Sequence, residues 1–285
     1  MSPSVWSLSS RRRHNGHRSA VEVNSSVDIL TLLHNAEGEH VDDRIESLVF
    51  ECLADGITDE RVMSLFRVLG WRDDFTCFAI AGQPDTGIVT SKQKIRDAVR
   101  DLGGTHCVIG TRDNWCVALI EQYGAVTPEV ACTAASSAFS TQAPLCIGSV
   151  RSRVDGARQA VQGVLTALVA AAAVTPLPRP MRTDDVLPER ALLGDEDARE
   201  ELYSSVYLSL KGDNADDPTL LTVSTFLKTG NSLETTAKEL NVHPNTVRYR
   251  LKRAAETTGW DATDSREGYV LHTAIAIGLM RDAQQ

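Results

Sequence analysis

The residues of this sequence best suited to bind a charged partner are four cations in the eleven-residue run from His243 to Arg253. The run contains three arginines, one lysine and no acid, although the formal net charge of the chain is -9. Guanidinium and ammonium groups without neighbouring carboxylates bind phosphate oxygens well. The run therefore favours a nucleic-acid contact, and the alternative is a solvated basic face on a structural helix.

The pattern around these cations predicts two short helices joined by a tight turn. Asn231 or Ser232 can cap a first helix that runs to Leu240. Asn241 suits the turn because asparagine tolerates the left-handed conformation, and Pro244 suits the first position of a second helix, where its missing N–H would be unpaired anyway. A helix-turn-helix is therefore predicted. The residues expected to pack its helices together are Leu233, Ala237, Leu240, Val242, Val247 and Leu251.

The second helix is expected to bury one face and expose another. Successive residues turn by about 100° around a helix axis, so placing Val247, Leu251 and Ala254 inward fixes the outward positions. In a helix-turn-helix the N-terminal part of the second helix meets base edges. The residues expected to read bases are Asn245, Thr246 and Tyr249. The residues expected to contact phosphate are His243, Arg248, Arg250, Lys252 and Arg253.

Two alternatives for these side chains stay open. Either flanking arginine, Arg248 or Arg250, can turn inward to a guanine edge. His243 can cap the second helix instead of contacting a phosphate.

Upstream of the cations, apolar segments alternate in type and predict a β-α-β-β-α-β order. The strands are predicted at 75–82, at "HCVIG" and "WCVALI" around residues 111–114, and at "PLCIGSV". The helices are predicted at 43–53, 62–69, 91–102, 126–140 and 154–173. Two split βαβ units sharing a central hairpin form a ferredoxin-like antiparallel sheet, expected here with helices on one face. The predicted fold class is α+β, with this sheet domain followed by an all-α helix-turn-helix domain.

Composition shifts divide the chain into five predicted segments. They are a flexible N-terminal segment 1–42, an amphipathic helix pair 43–70, the sheet domain 71–175, a linker 176–182, and a helical DNA-binding domain 183–285 with its helix-turn-helix at 232–258. The linker is expected to be semi-rigid because Pro176, Pro178 and Pro180 fall within it.

Composition also predicts a soluble cytoplasmic protein without a metal or cofactor. The apolar run 167–174 is too short to cross a bilayer, and the arginines near the N-terminus precede no apolar signal core. Six cysteines lie mostly in apolar stretches without a CxxC pair, which indicates reduced core thiols. The alternatives are a metal at His106 and Cys107, or oxidation of Cys107 with Cys116. Trp71 and Trp115 are expected to pack rather than line a ligand pocket.

The stretch "SLETTAKELNVHPNTVRYRLKRAAETTGWDATD" resembles the C-terminal helix-turn-helix of the PucR/CdaR family of bacterial transcription regulators, and "TAKELNVHPNTVRYRL" also resembles the Fis-type helix-turn-helix. The residues that match the family's recognition-helix pattern are His243, Asn245, Thr246, Tyr249, Arg250 and Leu251. The resemblance covers about residues 43 to 281 and implies that the sheet domain is a degenerate GGDEF-like domain. Active cyclases hold Gly-Gly-Asp/Glu-Glu-Phe at the central hairpin, where this chain has "GTRDNW" (110–115). Cyclase activity is therefore not expected.

The resemblance implies a transcription regulator, expected to be an activator, that binds double-stranded DNA. A homodimer or higher homo-oligomer is expected because one recognition helix covers only a few base pairs. Either the amphipathic helix 43–53 or the last helix is expected to supply the dimer surface. "LPERALLGDEDAREELYSSVY" and "TTGWDATD" are similar to an actinobacterial branch associated with fatty-acid synthesis genes. A small-molecule effector is left unspecified. The rival interpretations are a GGDEF-type protein that senses or processes nucleotides, and a protein-interaction adaptor whose helix-turn-helix does not bind DNA.

Overall fold

The computed structural model describes residues 41–212, Asn214 and residues 217–284. All but the last two residues of the predicted flexible segment 1–42 lie outside this range. The helices of the first half are α1 (Val41–Ala54), α2 (Glu60–Val68), α3 (Ile88–Asp101), α4 (Pro128–Ala134) and α5 (Arg153–Ala170). The strands are β1 (Thr76–Gly82), β2 (Cys107–Arg112), β3 (Trp115–Glu121), β4 (Leu145–Ile147), β5 (Arg151–Ser152) and β6 (Met181–Arg182).

The second half is helical. Its helices are α6 (Leu187–Leu192), α7 (Glu196–Glu201), a π-helical turn (Leu202–Tyr207), α8 (Leu208–Lys211), α9 (Thr219–Lys228), α10 (Leu233–Glu239), α11 (Pro244–Thr258) and α12 (Ser265–Asp282). Among the described helices, none combines the length and apolar character that a membrane span requires. The predicted α+β class, with a sheet followed by helices, is confirmed.

The sheet has the predicted ferredoxin-like connectivity. Its strand order is β2-β3-β1-β4-β6, and β5 pairs with β1 beside β4. The neighbours β2, β3, β1 and β4 pair antiparallel, as expected of two split βαβ units. Arg112 pairs with Trp115, so the central hairpin turns through two residues, and Asp113 adopts a positive φ of 53° there.

Helices cover both faces of this sheet, so the expectation that they cover one face is wrong. Phe78, Ile80 and Ile120 pack with residues of α3 and α4 on one face. On the other face, Ala79 and Leu119 pack with residues of α1, α2 and α5. The β1 segment is apolar at every position from Cys77 to Ala81 because both of its faces are buried.

Gly110 lets α1 approach the central hairpin closely. A Cβ atom at this position would lie 2.0 Å from the ring of Phe50, a fully buried residue of α1. The glycine that opens the hairpin sequence "GTRDNW" therefore serves helix packing against β2.

The predicted linker 176–182 ends inside the sheet. Met181 and Arg182 form β6, which pairs parallel with β4, and Met181 is fully buried. Beyond it, the helical half contacts α5 through an ion pair between Arg158 and Asp197 of α7, at 2.8 Å. Within the helical half, the buried Arg190 of α6 contacts Asp195, the residue before α7, at 2.9 Å.

Two predicted helices are shorter than expected. The segment 126–140 is helical from Pro128 to Ala134 and continues as a 3-10 turn at Ser136–Ala138, and the helix 154–173 likewise ends in a 3-10 turn from Ala171. The first break lets the Ala138 carbonyl accept a 2.7 Å hydrogen bond from the buried Ser91 hydroxyl of α3.

The aromatic and thiol residues considered in the sequence are mostly core residues. Trp71 is buried, with ring centroids 5.1 Å from Phe66 and 4.9 Å from Phe75, so its packing role is confirmed. Cys107 pairs with Ile120 and Cys116 pairs with Thr111, which separates the two thiols along the hairpin. Burial raises the pKa of both thiols above that of an ordinary cysteine. The arrangement disfavours a disulfide between them.

Candidate nucleic-acid interface

The first helix of the predicted helix-turn-helix is α10, and local hydrogen bonds define both of its ends. The Ser232 hydroxyl caps it by accepting a 3.2 Å hydrogen bond from the backbone N–H of Thr235. After the helix, Asn241 has a φ of 52°, the left-handed conformation predicted for the turn. The N–H of Val242 then donates to the carbonyl of Ala237 at 2.9 Å. These contacts fix the direction in which the chain enters α11.

The second helix, α11, has Pro244 in its first turn, as the sequence predicts, and His243 is its cap. Nδ1 of His243 accepts a 3.1 Å hydrogen bond from the backbone N–H of Asn245. A neutral imidazole that accepts at Nδ1 bears its proton on Nε2. The capping alternative is therefore realised, and Nε2–H stays a donor that can contact a phosphate.

The buried face of α11 matches the predicted apolar positions. Val247, Leu251 and Ala254 are all buried, and Ala237 of α10 is buried against the same cluster. The small Ala237 side chain permits close approach of α10 and α11. With these residues inside, the angular position of every other α11 residue is fixed.

The predicted base-reading residues lie on the opposite side. Tyr249 is 68% exposed and Asn245 is also exposed, whereas Thr246 is half-buried beside them. Nη1 of Arg248 donates a 3.0 Å hydrogen bond to the side-chain oxygen of Asn245. That bond leaves the side-chain NH₂ of Asn245 free to donate, and it holds Arg248 along the exposed face.

The four cations of α11 divide into two pairs by their contacts. The side chain of Lys252 is 77% exposed and lies 3.7 Å from Glu256, while Arg248 bonds within the exposed face. Arg250 instead donates to the hydroxyl of Thr222 at 3.3 Å, and Arg253 lies 3.2 Å from Asp217. Arg248 and Lys252 therefore point to solvent, whereas Arg250 and Arg253 contact the α9 region.

Asp217 was not anticipated as part of this surface. Its carboxylate accepts a 2.9 Å hydrogen bond from the backbone N–H of Thr219 at the start of α9 and contacts the Arg253 guanidinium. Hydrogen bonds from the side chain and backbone of Thr219 lower the pKa of Asp217, and the charge of Arg253 lowers it further. The sequence signal was the Asp-Pro-Thr order at 217–219, which is typical of a helix start.

The hairpin that holds nucleotide in cyclases lies beside a cleft of about 620 Å³. Arg112 and Arg158, the arginines in the cleft lining, are each ion-paired with a carboxylate: Arg112 with Asp55, and Arg158 with Asp197. Trp115 is half-buried in the same lining. The cations are thus already neutralised by the chain, which disfavours binding of a nucleotide phosphate here.

His106, considered above as a metal ligand, contacts a carboxylate instead. Nδ1 of His106 lies 2.6 Å from a carboxylate oxygen of Glu121, and the imidazole lies beside the Trp71 ring with centroids 5.7 Å apart. Within the described part of the chain, no group of three or more His, Cys, Asp or Glu residues is placed to hold a metal ion.

The chain matches two known domain families and a solved structure. Residues 219–277 match the PucR C-terminal helix-turn-helix domain, and residues 54–170 match a GGDEF-like domain. A crystal structure described as a regulator of polyketide synthase expression from Bifidobacterium adolescentis is 61% identical. The two structures superpose with a TM-score of 0.84, and the match covers 89% of this chain and 98% of the Bifidobacterium chain. The chain belongs to the PucR/CdaR family of transcription regulators.

Other relatives of this PucR/CdaR regulator are longer. Uncharacterized proteins from Mycobacterium bovis and Mycobacterium tuberculosis are 31% identical over 249 residues, which is 84% of this chain. The chain spans 59% of the length of these curated relatives. The helix-turn-helix match begins at Thr219, the first residue of α9, so the family domain includes the helix whose Thr222 contacts Arg250. Asp217, which contacts Arg253, lies two residues before the match.

Proposed function

We propose that this PucR/CdaR regulator binds specific DNA sequences through α11 and acts as an activator on paired half-sites. One observation supports the proposal most strongly. The helix buries Val247 and Leu251 and exposes Tyr249 and Lys252 on its opposite side. A helix whose apolar face packs against the domain and whose exposed face is polar and cationic has the shape and charge that the major groove accepts.

The base-reading role is assigned to three residues near the start of α11. Asn245, Thr246 and Tyr249 follow the capped N-terminus, where recognition helices meet base edges. The side-chain NH₂ of Asn245 can donate to a base while its oxygen accepts from Arg248. Loss of Asn245 is therefore expected to relax the preference at one base position.

The phosphate-contacting role is assigned to His243, Arg248, Arg250, Lys252 and Arg253. Arg248 and Lys252 can reach phosphates without breaking a contact to α9. Arg250 and Arg253 would exchange Thr222 and Asp217 for phosphate oxygens. Because Asp217 already holds Arg253 as a phosphate would, we expect that exchange to contribute less affinity per cation than the contacts of Arg248 and Lys252.

The remaining features fit a cytoplasmic regulator that works without a cofactor. The chain has a formal net charge of -9, so most of its surface repels DNA and leaves α11 as the favoured contact. We further propose target genes for acyl-chain synthesis. The sequence resembles a branch associated with fatty-acid synthesis genes, and the Bifidobacterium neighbour is described as a regulator of polyketide synthase expression.

Selection of genomic fragments with the purified full chain, followed by sequencing, tests this function. We expect recovered fragments to share a repeated motif, and Asn245→Ala to recover fragments in which one position of that motif has lost its preference. Thr257→Ala, an exposed change on the last turn of α11, is the matched control and should keep the motif. If the chain retains no DNA at all even at low salt, where nonspecific binding is strongest, an adaptor without DNA affinity is favoured.

A further inference from the structure

The last helix, α12, exposes a face without any Asp, Glu, Lys or Arg. We call this surface the outer face. It consists of Tyr269, His272, Thr273, Ala276, Leu279 and Met280. Its large apolar members stay accessible, since Tyr269 is 40%, Leu279 50% and Met280 60% exposed. Depletion of charge together with aromatic and methionine side chains is typical of an interface core.

The helix does contain charged residues, but all four bond to the chain itself. Arg266 contacts Glu189, and Arg281 contacts Glu200 at 2.6 Å. The carboxylate of Asp282 accepts from Lys211 at 2.7 Å, and that of Glu267 accepts from the backbone N–H of Asp261. These four charges are thus paired within the chain, and the Arg266 guanidinium also lies 5.7 Å from the centroid of the Tyr269 ring, at one end of the outer face. The outer face itself contains no carboxylate, ammonium or guanidinium group.

The opposite side of α12 is buried in the core, so the helix cannot rotate to bury the outer face. Val270, Leu271, Ala274 and Ile275 are buried in the core of the helical half. The ring of Tyr207 covers Gly278 so closely that a Cβ atom there would lie 2.1 Å from it. The packing therefore fixes the orientation of α12 and keeps the outer face at the surface.

We propose that the outer face binds the outer face of a second copy of this chain, with the two α12 helices antiparallel. The proposal rests on the proposed function, because a regulator that reads paired half-sites needs a second recognition helix. The residue order favours such self-pairing. About a twofold axis between Ala274 and Ile275, Tyr269 of one copy meets Met280 of the other, and Thr273 meets Ala276. Tyrosine with methionine is a favourable contact at each end, and small side chains in the centre let the helices approach.

The size of the outer face indicates when the pair forms. From Tyr269 to Met280 it is about 17 Å long, and a helix is about 10 Å wide. Such a patch falls well below the roughly 800 Å² per partner of a standard interface. In the absence of DNA, the affinity of the two copies for each other is consequently low. Two copies bound to neighbouring half-sites are held at a high effective concentration, where a weak contact forms and makes DNA binding cooperative.

The first described helix, α1, is the other candidate for a dimer surface, and its exposed face differs. It exposes Val41, Asp42, Ser47 and Glu51, and Glu51 lies 3.4 Å from Arg112. Charged groups therefore lie within the exposed face of α1 itself, and the Asp42 carboxylates of two copies would repel one another near a twofold axis. The outer face of α12 is the better match for a second copy.

Charged side chains introduced at Ala276 test the pairing. Ala276 is exposed, so Ala276→Glu and Ala276→Lys should both fold. Like charges near the axis are expected to weaken binding to a selected fragment with two half-sites at least ten-fold, and to leave binding to a fragment trimmed to one half-site unchanged. In an equal mixture, the two half-sites can bind one copy of each variant, which places glutamate near lysine across the axis, so most of the cooperativity should return. Unchanged cooperativity in either single variant, or a mixture that restores nothing, would overturn the proposal.

A second measurement separates this proposal from the proposed function. Full-length Ala276→Cys and Ser47→Cys chains, at high protein concentration without DNA, are treated with a short bis-maleimide. We expect a covalent dimer from Ala276→Cys and none above the wild-type background from Ser47→Cys. A dimer in this assay with no DNA binding would support the pairing and contradict the function. DNA binding together with no Ala276→Cys dimer would contradict the pairing alone.

Discussion

The guanidinium of Arg253 lies 3.2 Å from the carboxylate of Asp217, and the same carboxylate accepts a 2.9 Å hydrogen bond from the N–H of Thr219. A guanidinium and a backbone N–H at a helix start are also the groups that bind DNA phosphates. Asp217 thus occupies the position of an anion on the surface proposed to bind DNA. Its pKa is lowered below that of an ordinary aspartate by the Thr219 hydrogen bonds and by Arg253, so it stays charged even in mildly acidic solution.

We expect Asp217→Asn to strengthen DNA binding several-fold on all sequences alike. Asparagine can still accept from Thr219, but it no longer neutralises Arg253, which becomes available to a phosphate. The salt dependence should steepen by about one phosphate contact, measured by fluorescence anisotropy from 50 to 200 mM salt. Glu196→Gln, an exposed acid of α7, is the control and should change neither quantity. Weaker binding by Asp217→Asn would show that Asp217 positions Arg253 rather than competing for it.

His243 is expected to combine capping with phosphate binding, and two substitutions separate these roles. His243→Ala removes the acceptor for the Asn245 N–H and should lower the free energy of unfolding by about 1 kcal/mol. His243→Asn restores a good cap and should keep that stability. Both variants lose the imidazole Nε2–H and should bind DNA more weakly, measured beside thermal or urea unfolding. Full DNA affinity in His243→Asn would confine His243 to capping.

Gly278 is expected to be intolerant of a side chain. In Gly278→Ala the new Cβ would meet the Tyr207 ring, whose hydroxyl donates to Asp282 at 2.5 Å. Such overpacking costs about 1–3 kcal/mol, which offsets the gain of about 1 kcal/mol from alanine in a helix. Gly268→Ala on the same helix is the control, because its nearest contacts are 3.3 and 3.4 Å away. Urea unfolding should show a loss for Gly278→Ala, and equal stability of the two variants would contradict this packing.

The cysteines are expected to react slowly in the folded protein. Burial raises the pKa of Cys77 and Cys107 to about 12 and that of Cys116 and Cys132 to about 11, so thiolates are scarce at pH 8. Because folding favours the neutral thiols, their contribution to stability is present below pH 9 and is lost as the pH rises above it. Cys52 and Cys107 are the two half-buried thiols, and burial raises the pKa of Cys107 to about 12. A thiol-reactive chromophore at pH 8 should therefore label Cys52 first and the others upon unfolding. Rapid labelling of Cys116 in the native protein would contradict this.

Local signals in the sequence were sufficient to predict the helix-turn-helix. Ser232, Asn241 and Pro244 each act within a few residues, so their roles do not depend on distant contacts. The contacts of Arg250 and Arg253 could not be predicted in this way. Their partners Thr222 and Asp217 lie 28 and 36 residues earlier, and the pairing depends on how α9 packs against α11.

In the sheet, too, local features could be predicted from the sequence and tertiary contacts could not. Strand and helix order followed from apolar periodicity, whereas the second covered face did not, because α1, α2 and α5 reach it only through tertiary packing. The sequence does not predict the strand β6, for another reason. It has two residues after a proline-rich stretch, too few for any alternating pattern.

The central claim is that the exposed cations of α11 hold DNA, and the salt dependence of the Arg248→Ala/Lys252→Ala double variant tests it most directly. Each phosphate contact contributes about 0.9 to the slope of log affinity against log salt concentration, so the variant should lose affinity on all sequences and about two units of slope. The full chain with Thr257→Ala should match the wild type. An unchanged slope and affinity in the double variant would contradict the proposed docking of α11.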